Sequence, residues 1–276
     1  MRSICTEPKR RLKLRIYLGK RYYTFLRYCQ WYLGGNKFAD SFLQSSLPYK
    51  AFGHKTPLIR KLHGVDIRLQ YNKVNNLNIA LKRIDGLILK KGQIFSFWKL
   101  IGKPSARKGY LKGLTLNPDG SFGEGIGGGL CQLSNIIYWI TLHTPLTVIQ
   151  RYRHSHDIFP DTGRTQPFGS GATCVYNYID LQILNETDTE YQIKLNIDDE
   201  YLHAEWRTEK PQNLSYEVYE RDNSIKSTYW GGYIRHNTIY RRIYNESGIL
   251  TDDEYVTENN AIMMYSPLIP DKTQAF

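Results

Sequence analysis

The sequence predicts an α+β fold made mainly of antiparallel β-sheet, with a central helix after a glycine-rich loop and a basic amphipathic helix at the N-terminus. Tyrosine dominates the aromatic residues, with 22 Tyr against 10 Phe and 5 Trp, and tyrosine suits half-buried sheet surfaces. From about residue 148 onward, apolar and polar residues alternate between turn signals, which is typical of antiparallel strands.

The length of the chain indicates how it divides into domains, and its net charge indicates which class of partner it binds. The 276 residues are 41% hydrophobic, enough for a sizeable core. We divide them into a basic N-terminal helical segment (1–66), a central domain (67–207) and a tyrosine-rich β extension (208–276). Lys and Arg total 37 against 26 Asp and Glu, a formal net charge of +11, which favours anionic partners such as lipid headgroups, nucleic acid or acidic wall polymers.

The segment at residues 7–35 has helical spacing of apolar residues, ended by Gly34 and Gly35. The stripe consists of Leu14, Leu18, Tyr22, Phe25, Cys29 and Tyr32. Basic residues surround it, so residues 9–33 are expected to lie at an anionic membrane surface. The alternative is a helix that packs on its own domain and presents a solvated basic face.

No apolar run is long enough to span a bilayer, and no secretory signal is recognisable. The four cysteines, Cys5, Cys29, Cys131 and Cys174, form no CxxC pair, which favours a reducing compartment. A disulfide between Cys131 and Cys174 is the alternative. The expected location is cytoplasmic, peripheral at the inner membrane face, and no cofactor is expected.

The central segments are predicted from their periodicity and turn residues. Residues 77–84 fit a short helix, residues 93–100 a buried strand, and residues 109–129 a hairpin that runs into the glycine tract. Residues 130–142 fit a mostly buried helix. Strands are predicted at 148–152, 172–184, 191–197 and 202–207, and a small antiparallel sheet at 216–220, 233–244 and 261–265.

Three glycines, Gly127, Gly128 and Gly129, precede Cys131 at the start of the predicted buried helix. Glycines permit positive φ and close approach of another molecule. A helix N-terminus supplies unpaired N–H groups and a partial positive charge, which favours a thiolate. Cys131 is therefore a candidate nucleophile whose own N–H could serve an oxyanion hole.

A reactive cysteine needs a base, and His154 and His156 follow on an extended segment. A cysteine on a helix start followed by a histidine on a strand is the order used by papain-like and transglutaminase-like enzymes. Candidates to orient the imidazole are Asp161, Asn177 and Asp180, and we favour Asp180.

The same residues allow several other interpretations. A cysteine on a helix is often a small buried hydrophobe, and a glycine run before a helix can be a tight connection or an anion site. His154, His156 and Asp157 lack a distant fourth ligand, so no metal site is expected. Neither GxxxxGK[ST] nor GxGxxG occurs, which disfavours nucleotide binding, and no nucleic-acid module follows the basic N-terminus.

The motifs, taken together, resemble those of the VanW family. The resemblance lies in FSFWKLIGKPSARKGY at 95–110, GGGLCQLSN at 127–135, RYRHS at 151–155 and the strand ending in Asp180, and it covers about residues 70–207. It implies a link to glycopeptide resistance. The family's motif positions fall on Gly127, Gly128, Gly129, Cys131, Gln132, Ser134, Arg151 and His154, so the resemblance favours His154 over His156 as the base.

Two functions follow as expectations. The first is an accessory protein of glycopeptide resistance that acts on cell-wall peptide or a precursor by acyl transfer or hydrolysis, with Cys131, His154 and Asp180 as catalytic residues. Substrate would be bound by Gly127, Gly128, Gly129, Gln132, Ser134, Arg151 and His156. The second is a non-catalytic module that binds peptidoglycan or its precursor, with the glycine loop as the anion site.

Overall fold

The computed structural model describes residues 12–60, 65–117, 120–158 and 166–265. Asp161, one candidate third residue, lies outside these ranges, as do residues 118–119 of the predicted turn. The elements in chain order are α1 (Lys13–Tyr32), β1 (Ser41–Phe42), β2 (Tyr49–Pro57), α2 (Ile67–Leu81), β3 (Leu87–Leu89), β4 (Ile94–Ser96), α3 (Phe97–Ile101), a 3-10 turn (Ala106–Lys108), β5 (Lys112–Leu116), β6 (Phe122–Ile126), α4 (Cys131–Thr141), β7 (Thr147–Gln150), β8 (His156–Asp157), β9 (Gln182–Leu184), β10 (Tyr191–Ile197), β11 (Tyr201–Thr208), β12 (Leu214–Ser227), β13 (Tyr233–Asn245) and β14 (Leu250–Met263).

The fold is α+β and mainly antiparallel β, as the sequence predicted. A five-stranded sheet has the order β1-β3-β10-β11-β2, and all its described pairs are antiparallel. Helix α4 packs on this sheet, where the fully buried Trp206 of β11 donates from Nε1 to Thr141 Oγ1 at 3.0 Å. The buried face of α4 and the inner face of this sheet together form much of the apolar core.

Smaller sheets surround this core. Strands β4, β9 and β7 form a three-stranded sheet, and β5 pairs with β6 as the predicted hairpin. The long strands β12, β13 and β14 form the predicted C-terminal antiparallel sheet. Its outer strand β14 pairs in parallel with the short β8, so the C-terminal extension is joined to the segment that carries the two candidate histidines.

The predicted strand at 93–100 is wrong in its second half, which forms α3. Ser96 is the N-cap of this helix and accepts a hydrogen bond from the Lys99 N–H. Its hydroxyl also donates to Asp180 Oδ2 at 2.6 Å. A serine that caps a helix start is as compatible with the sequence as one inside a strand, and the apolar run alone does not distinguish them.

Of the predicted strand at 172–184, only Gln182–Leu184 is a regular strand. The backbone at its beginning bonds to side chains of α4, because the Ala172 N–H donates to Asn135 Oδ1 at 2.7 Å. Helix α2, by contrast, is longer than predicted. It begins ten residues before the predicted helix at 77–84, because Asp66 caps its start at Ile67. Strands β1 and β2 were not predicted, since their residues show no regular alternation of burial.

Two glycines bring the β5–β6 hairpin and the start of α4 into backbone contact. A Cβ on Gly128 would lie 2.2 Å from the carbonyl oxygen of Gly113, and one on Gly113 would lie 2.4 Å from the Gly128 oxygen. Such distances are inside the van der Waals limit. The neighbouring Gly127 and Gly129 have positive φ, at 77° and 91°, so the three loop glycines meet both steric and conformational demands.

Replacement of Gly128 by alanine is expected to destabilise the protein. The added methyl must displace the Gly113 backbone, which should lower the free energy of unfolding by about 3 kcal/mol, measured by chemical denaturation. Gly19→Ala is the control, since a Cβ there meets nothing within 4 Å; its effect should stay below about 1 kcal/mol. Equal effects of both substitutions would contradict the close-contact interpretation.

Candidate functional site

The candidate site is organised around the first residue of α4. Cys131 opens this helix immediately after the glycine loop. The loop is held by Asn76, a fully buried residue of α2, whose amide donates to the carbonyl oxygens of Leu111 and Gly128, each at 3.0 Å. Asn76 Oδ1 also accepts from the Leu111 N–H at 2.8 Å. This side chain therefore fixes the hairpin and the loop relative to α2.

The Cys131 thiol lies against a second thiol. Its Sγ is 3.7 Å from Cys174 Sγ and 3.7 Å from the Cys174 carbonyl oxygen. Both cysteines are free, and Cys174 is buried whereas Cys131 is half-buried. The two side chains are therefore close enough for one thiol to donate a hydrogen bond to the other sulfur.

The segment that carries Cys174 is held against α4 by two further contacts. Ser134 Oγ, one turn into α4, donates to the Ala172 carbonyl oxygen at 2.6 Å. Asn135 Oδ1 accepts from the Ala172 N–H. Cys131, Ser134 and Asn135 lie on one face of the helix because of its 3.6-residue period. Ser134 thus holds the polypeptide beside the site and is itself fully buried.

His154 approaches from a neighbouring segment. Tyr152 forms an isolated antiparallel bridge with Thr173, and the Thr173 N–H donates to the Tyr152 carbonyl oxygen at 2.7 Å. This bridge brings the chain around His154 beside Cys174. The His154 side chain is close enough to the Cys131 sulfur to help lower the pKa of that thiol, so the structure brings the candidate base near the candidate nucleophile.

The pKa values of the two thiols shift in opposite directions. The pKa of Cys131 is well below its usual value because its sulfur accepts a hydrogen bond from the Cys174 thiol, and His154 adds a second hydrogen bond and a favourable charge. Burial and the adjacent Cys131 sulfur raise the pKa of Cys174 well above its usual value. The directions of the two shifts favour ionisation of Cys131 over Cys174, because hydrogen bonding to a charged form stabilises that form.

Gln132 and Arg151 have structural partners. The Gln132 amide donates to Thr56 Oγ1 at 3.0 Å and to the Pro57 carbonyl oxygen at 2.8 Å, which ties α4 to the end of β2. The Arg151 guanidinium donates to the carbonyl oxygens of Gly169 and Gly171. Burial lowers the pKa of Arg151, and its charge is met by these carbonyl dipoles.

The second histidine of the pair lies elsewhere. His156 is in β8, where its Nδ1 is 3.0 Å from Ser155 Oγ and its ring is near Gly120. Alternate residues of an extended chain share one side, but the chain does not stay straight between residues 154 and 156. His156 therefore contacts the C-terminal sheet, whereas His154 contacts Cys131.

Asp180 is fully buried, and its described hydrogen bonds go to Ser96, Trp98 and Gln182. Its Oδ1 accepts from the Trp98 N–H at 3.0 Å, and its Oδ2 accepts from Ser96 Oγ. Gln182 Nε2 donates to the same oxygen at 3.1 Å. Within the described ranges no hydrogen bond joins Asp180 to His154. Burial, the largest effect, raises the pKa of Asp180 against the lowering by these donors.

Asn177, another candidate third residue, is also fully buried. Its Nδ2 donates to the Thr24 carbonyl oxygen of α1 at 3.4 Å, so it contacts the N-terminal helix. Neither described candidate therefore hydrogen-bonds the imidazole of His154. The chain two residues before His154 is held by the Tyr152–Thr173 bridge.

Near the loop, Cys174 was named from the sequence only as an alternative disulfide partner of Cys131, and Lys73 was not named at all. In the structure Cys131 and Cys174 are both free thiols, with their sulfur atoms 3.7 Å apart, so they are in contact without a disulfide. Lys73 is buried beneath the loop, where a Cβ on Gly129 would lie 2.2 Å from its Cγ. Burial, assisted by Arg60, lowers the pKa of Lys73 to about 8. Lys73 lies on the buried face of α2 with Leu77 and Ala80, and a lysine carries no sequence signal for such burial.

No group of three or more His, Cys, Asp and Glu side chains is arranged to hold a metal ion in the part of the chain that the structure describes. The chemistry available at the site is that of a thiolate, an imidazole and the N–H groups of a helix start. This set of groups suits nucleophilic attack on a carbonyl carbon.

Comparisons with known proteins agree with the motifs in the sequence. The family model described as VanW like protein matches residues 72–207. The chain is 37% identical over 181 residues to the vancomycin B-type resistance protein VanW of Enterococcus faecalis, an alignment that covers 66% of each protein. It is 30% identical over 87 residues to the uncharacterized protein YoaR of Bacillus subtilis, covering 32% of this chain and 28% of that one.

The chain thus aligns with about two thirds of the length of the first relative and a smaller share of the second. No solved structure gives a significant match. The matched region, residues 72–207, contains the glycine loop, Cys131, His154 and Cys174. Through this domain the chain belongs to the VanW family.

Proposed function

We propose that this protein contributes to glycopeptide resistance as a cysteine-dependent acyl transferase or hydrolase that acts on cell-wall peptide or a precursor. The observation that carries the proposal is the Cys131 thiol, which is half-buried at a helix start and lies 3.7 Å from the Cys174 thiol, with its pKa lowered by Cys174 and His154. The name of the Enterococcus faecalis relative supports the link to vancomycin resistance.

In the proposed reaction the Cys131 thiolate attacks a substrate carbonyl carbon, and the carbonyl electron pair moves to its oxygen. The tetrahedral intermediate collapses when the bond to the leaving group breaks and His154 gives a proton to that group. An acyl thioester on Cys131 results. Water or an acceptor amine then attacks the thioester, His154 takes its proton, and the thiolate is released.

The oxyanion would be stabilised by the backbone at the start of α4. A helix N-terminus carries unpaired N–H groups and a partial positive charge. The side chain of Gln132 is engaged with Thr56 and Pro57, so we assign the stabilisation to the Cys131 N–H and the helix dipole. Cys174 is a positioning residue in this scheme, since its thiol stabilises the Cys131 thiolate.

The alternative, a binding module with the glycine loop as an anion cradle, has weaker support. The Gly127 N–H donates to the Leu111 carbonyl oxygen at 3.0 Å, and the Gly128 N–H donates to the Gly125 oxygen at 2.9 Å. Two of the loop amides are thus engaged within the protein. An anion cradle needs several amides aimed at one point.

Alkylation measured against pH tests whether Cys131 is ionised. The rate of modification by iodoacetamide, followed by mass spectrometry of the Cys131 peptide, should reach half its maximum well below the roughly pH 8.5 of free cysteine. Free cysteine alkylated under the same conditions is the reference. A Cys131 midpoint at or above that of free cysteine would remove the basis of the proposed nucleophile.

The contribution of Cys174 is separable with two substitutions. Cys174→Ala removes the hydrogen-bond donor and should move the alkylation midpoint of Cys131 upward by about 1 pH unit. Cys174→Ser keeps a donor and should move it less. Thermal unfolding of both variants controls for a loss of packing, and midpoints equal to that of the wild type in both variants would show that the thiol donor is unimportant.

Turnover distinguishes catalysis from binding. With a synthetic cell-wall stem peptide as substrate, Cys131→Ala should lower the rate by about 1000-fold or more and abolish the acyl adduct seen by mass spectrometry. His154→Gln keeps a hydrogen-bond donor without a base, so it should slow turnover while Cys131 remains open to alkylation. Peptide binding with no adduct in the wild type would favour the binding module.

Asp180 is expected to act through the fold. Asp180→Asn weakens the acceptor that serves Ser96 and the Trp98 N–H, which should lower the free energy of unfolding by about 2 kcal/mol. The alkylation midpoint of Cys131 should stay close to that of the wild type. A large loss of turnover without a loss of stability would instead support the catalytic role predicted from the sequence.

A further inference from the structure

Helix α1 is attached to the rest of the protein by one side of its C-terminal half. Arg27 and Trp31 are its buried residues. Arg27 donates to Gln150 Oε1 at 2.6 Å and to the Tyr178 carbonyl oxygen at 3.0 Å, and Trp31 Nε1 donates to Ser96 Oγ at 3.1 Å. These contacts fix the direction of the helix and leave most of its surface in solvent.

The opposite side carries an exposed apolar stripe. We define the α1 stripe as Leu14, Leu18, Tyr22 and Phe25, which recur at helical spacing. Their exposed fractions are 68%, 57%, 58% and 64%. With 3.6 residues per turn, the stripe lies roughly across the helix from Arg27 and Trp31. It therefore faces away from the body, and none of its four residues is buried by the protein.

The charges along this segment have one sign. Residues 9–33 contain eight Lys and Arg and no Asp or Glu. Arg15 and Arg21 are exposed and flank the α1 stripe on its two sides, at angles set by the helical period. Long basic side chains beside an apolar stripe can lay their stems along it and keep their charges in water.

We propose that α1 binds an anionic lipid bilayer, with the α1 stripe in the headgroup region and Arg15 and Arg21 on lipid phosphates. Charge complementarity selects this occupant. Two copies of the chain paired through the stripe would bring basic residues together with no carboxylate in the segment to meet them. A negatively charged lipid surface can pair with the basic residues of this segment. Tyr22 in the stripe also suits the membrane–water boundary, because its ring is apolar and its hydroxyl is polar.

A helix lying on the surface is also what its length and composition allow. None of the described helices is long and apolar enough to cross a membrane. The apolar residues of α1 are interrupted by Lys20 and Arg21 near its middle. The apolar stripe and the basic residues of such a helix both contribute to its free energy of binding to a membrane surface. Binding should therefore need anionic lipid and should weaken with salt.

Co-sedimentation of the full chain with vesicles tests the proposal. It should bind vesicles of phosphatidylcholine mixed with phosphatidylglycerol, and bind pure phosphatidylcholine much less. Leu18→Ser combined with Phe25→Ser should lose the binding. Arg15→Gln combined with Arg21→Gln should weaken it by about 25-fold, because each basic residue near an anionic surface contributes roughly fivefold.

The control is Arg107→Gln combined with Lys226→Gln, two exposed positions outside α1 that lower the net charge equally. It should keep nearly all of the binding, and circular dichroism should show that every variant folds. Equal loss in the control and the Arg15/Arg21 variant would overturn the proposal, as would equal binding to both lipids. A wild-type dimer that ignores vesicles and dissociates on Leu18→Ser and Phe25→Ser would assign the stripe to a second copy.

Discussion

The contact between the backbones of Gly113 and Gly128 determines where α4 begins and hence where its first side chain lies. Only glycine allows two main chains to approach as closely as these do. Asn76 then fastens both sides of the contact through three hydrogen bonds to main-chain groups. The hairpin, the loop and α2 thus form one rigid base for Cys131. A thiol at the start of α4 lies at the positive end of the helix dipole, which favours its ionised form.

Besides the position of Cys131, the proposed chemistry requires that its thiolate be stable in a half-buried environment. A charge removed from water needs donors, and here the donors come from two distant parts of the chain. The Cys174 thiol lies 3.7 Å from the Cys131 sulfur, and Cys174 and His154 both lower the pKa of Cys131. Ser134 and Asn135 hold the first of these segments against α4, and the Tyr152–Thr173 bridge aligns the second. The glycine loop sets the start of α4, and the contacts of Cys131, Ser134 and Asn135 with the segment around Cys174 then assemble the site.

Local patterns predicted a large part of this arrangement. The hairpin, α4 and the C-terminal sheet follow from periodicity and turn residues, and the motif around RYRHS separated His154 from His156. Long-range contacts were not predictable in the same way. The sequence offered Cys174 only as an alternative disulfide partner of Cys131, and no local pattern predicts that its free thiol lies beside the Cys131 sulfur. Asp180 has the residue type of a triad member, but its acceptor oxygens serve Ser96 and Trp98, because a buried carboxylate must satisfy whichever donors surround it.

The attachment of α1 connects the two proposals through shared residues. Ser96 accepts from Trp31 of α1 and donates to Asp180, and the Asp180 charge in turn acts on Cys174. Arg27 of α1 also interacts with Asp180 electrostatically. A helix held on lipid by its outward stripe would keep its inward face on these same residues. Only a few residues in contact with one another therefore separate α1 from Cys174 and Cys131. A membrane-bound α1 would hold Cys131 in a fixed orientation relative to the bilayer. That orientation suits a substrate presented at the membrane surface.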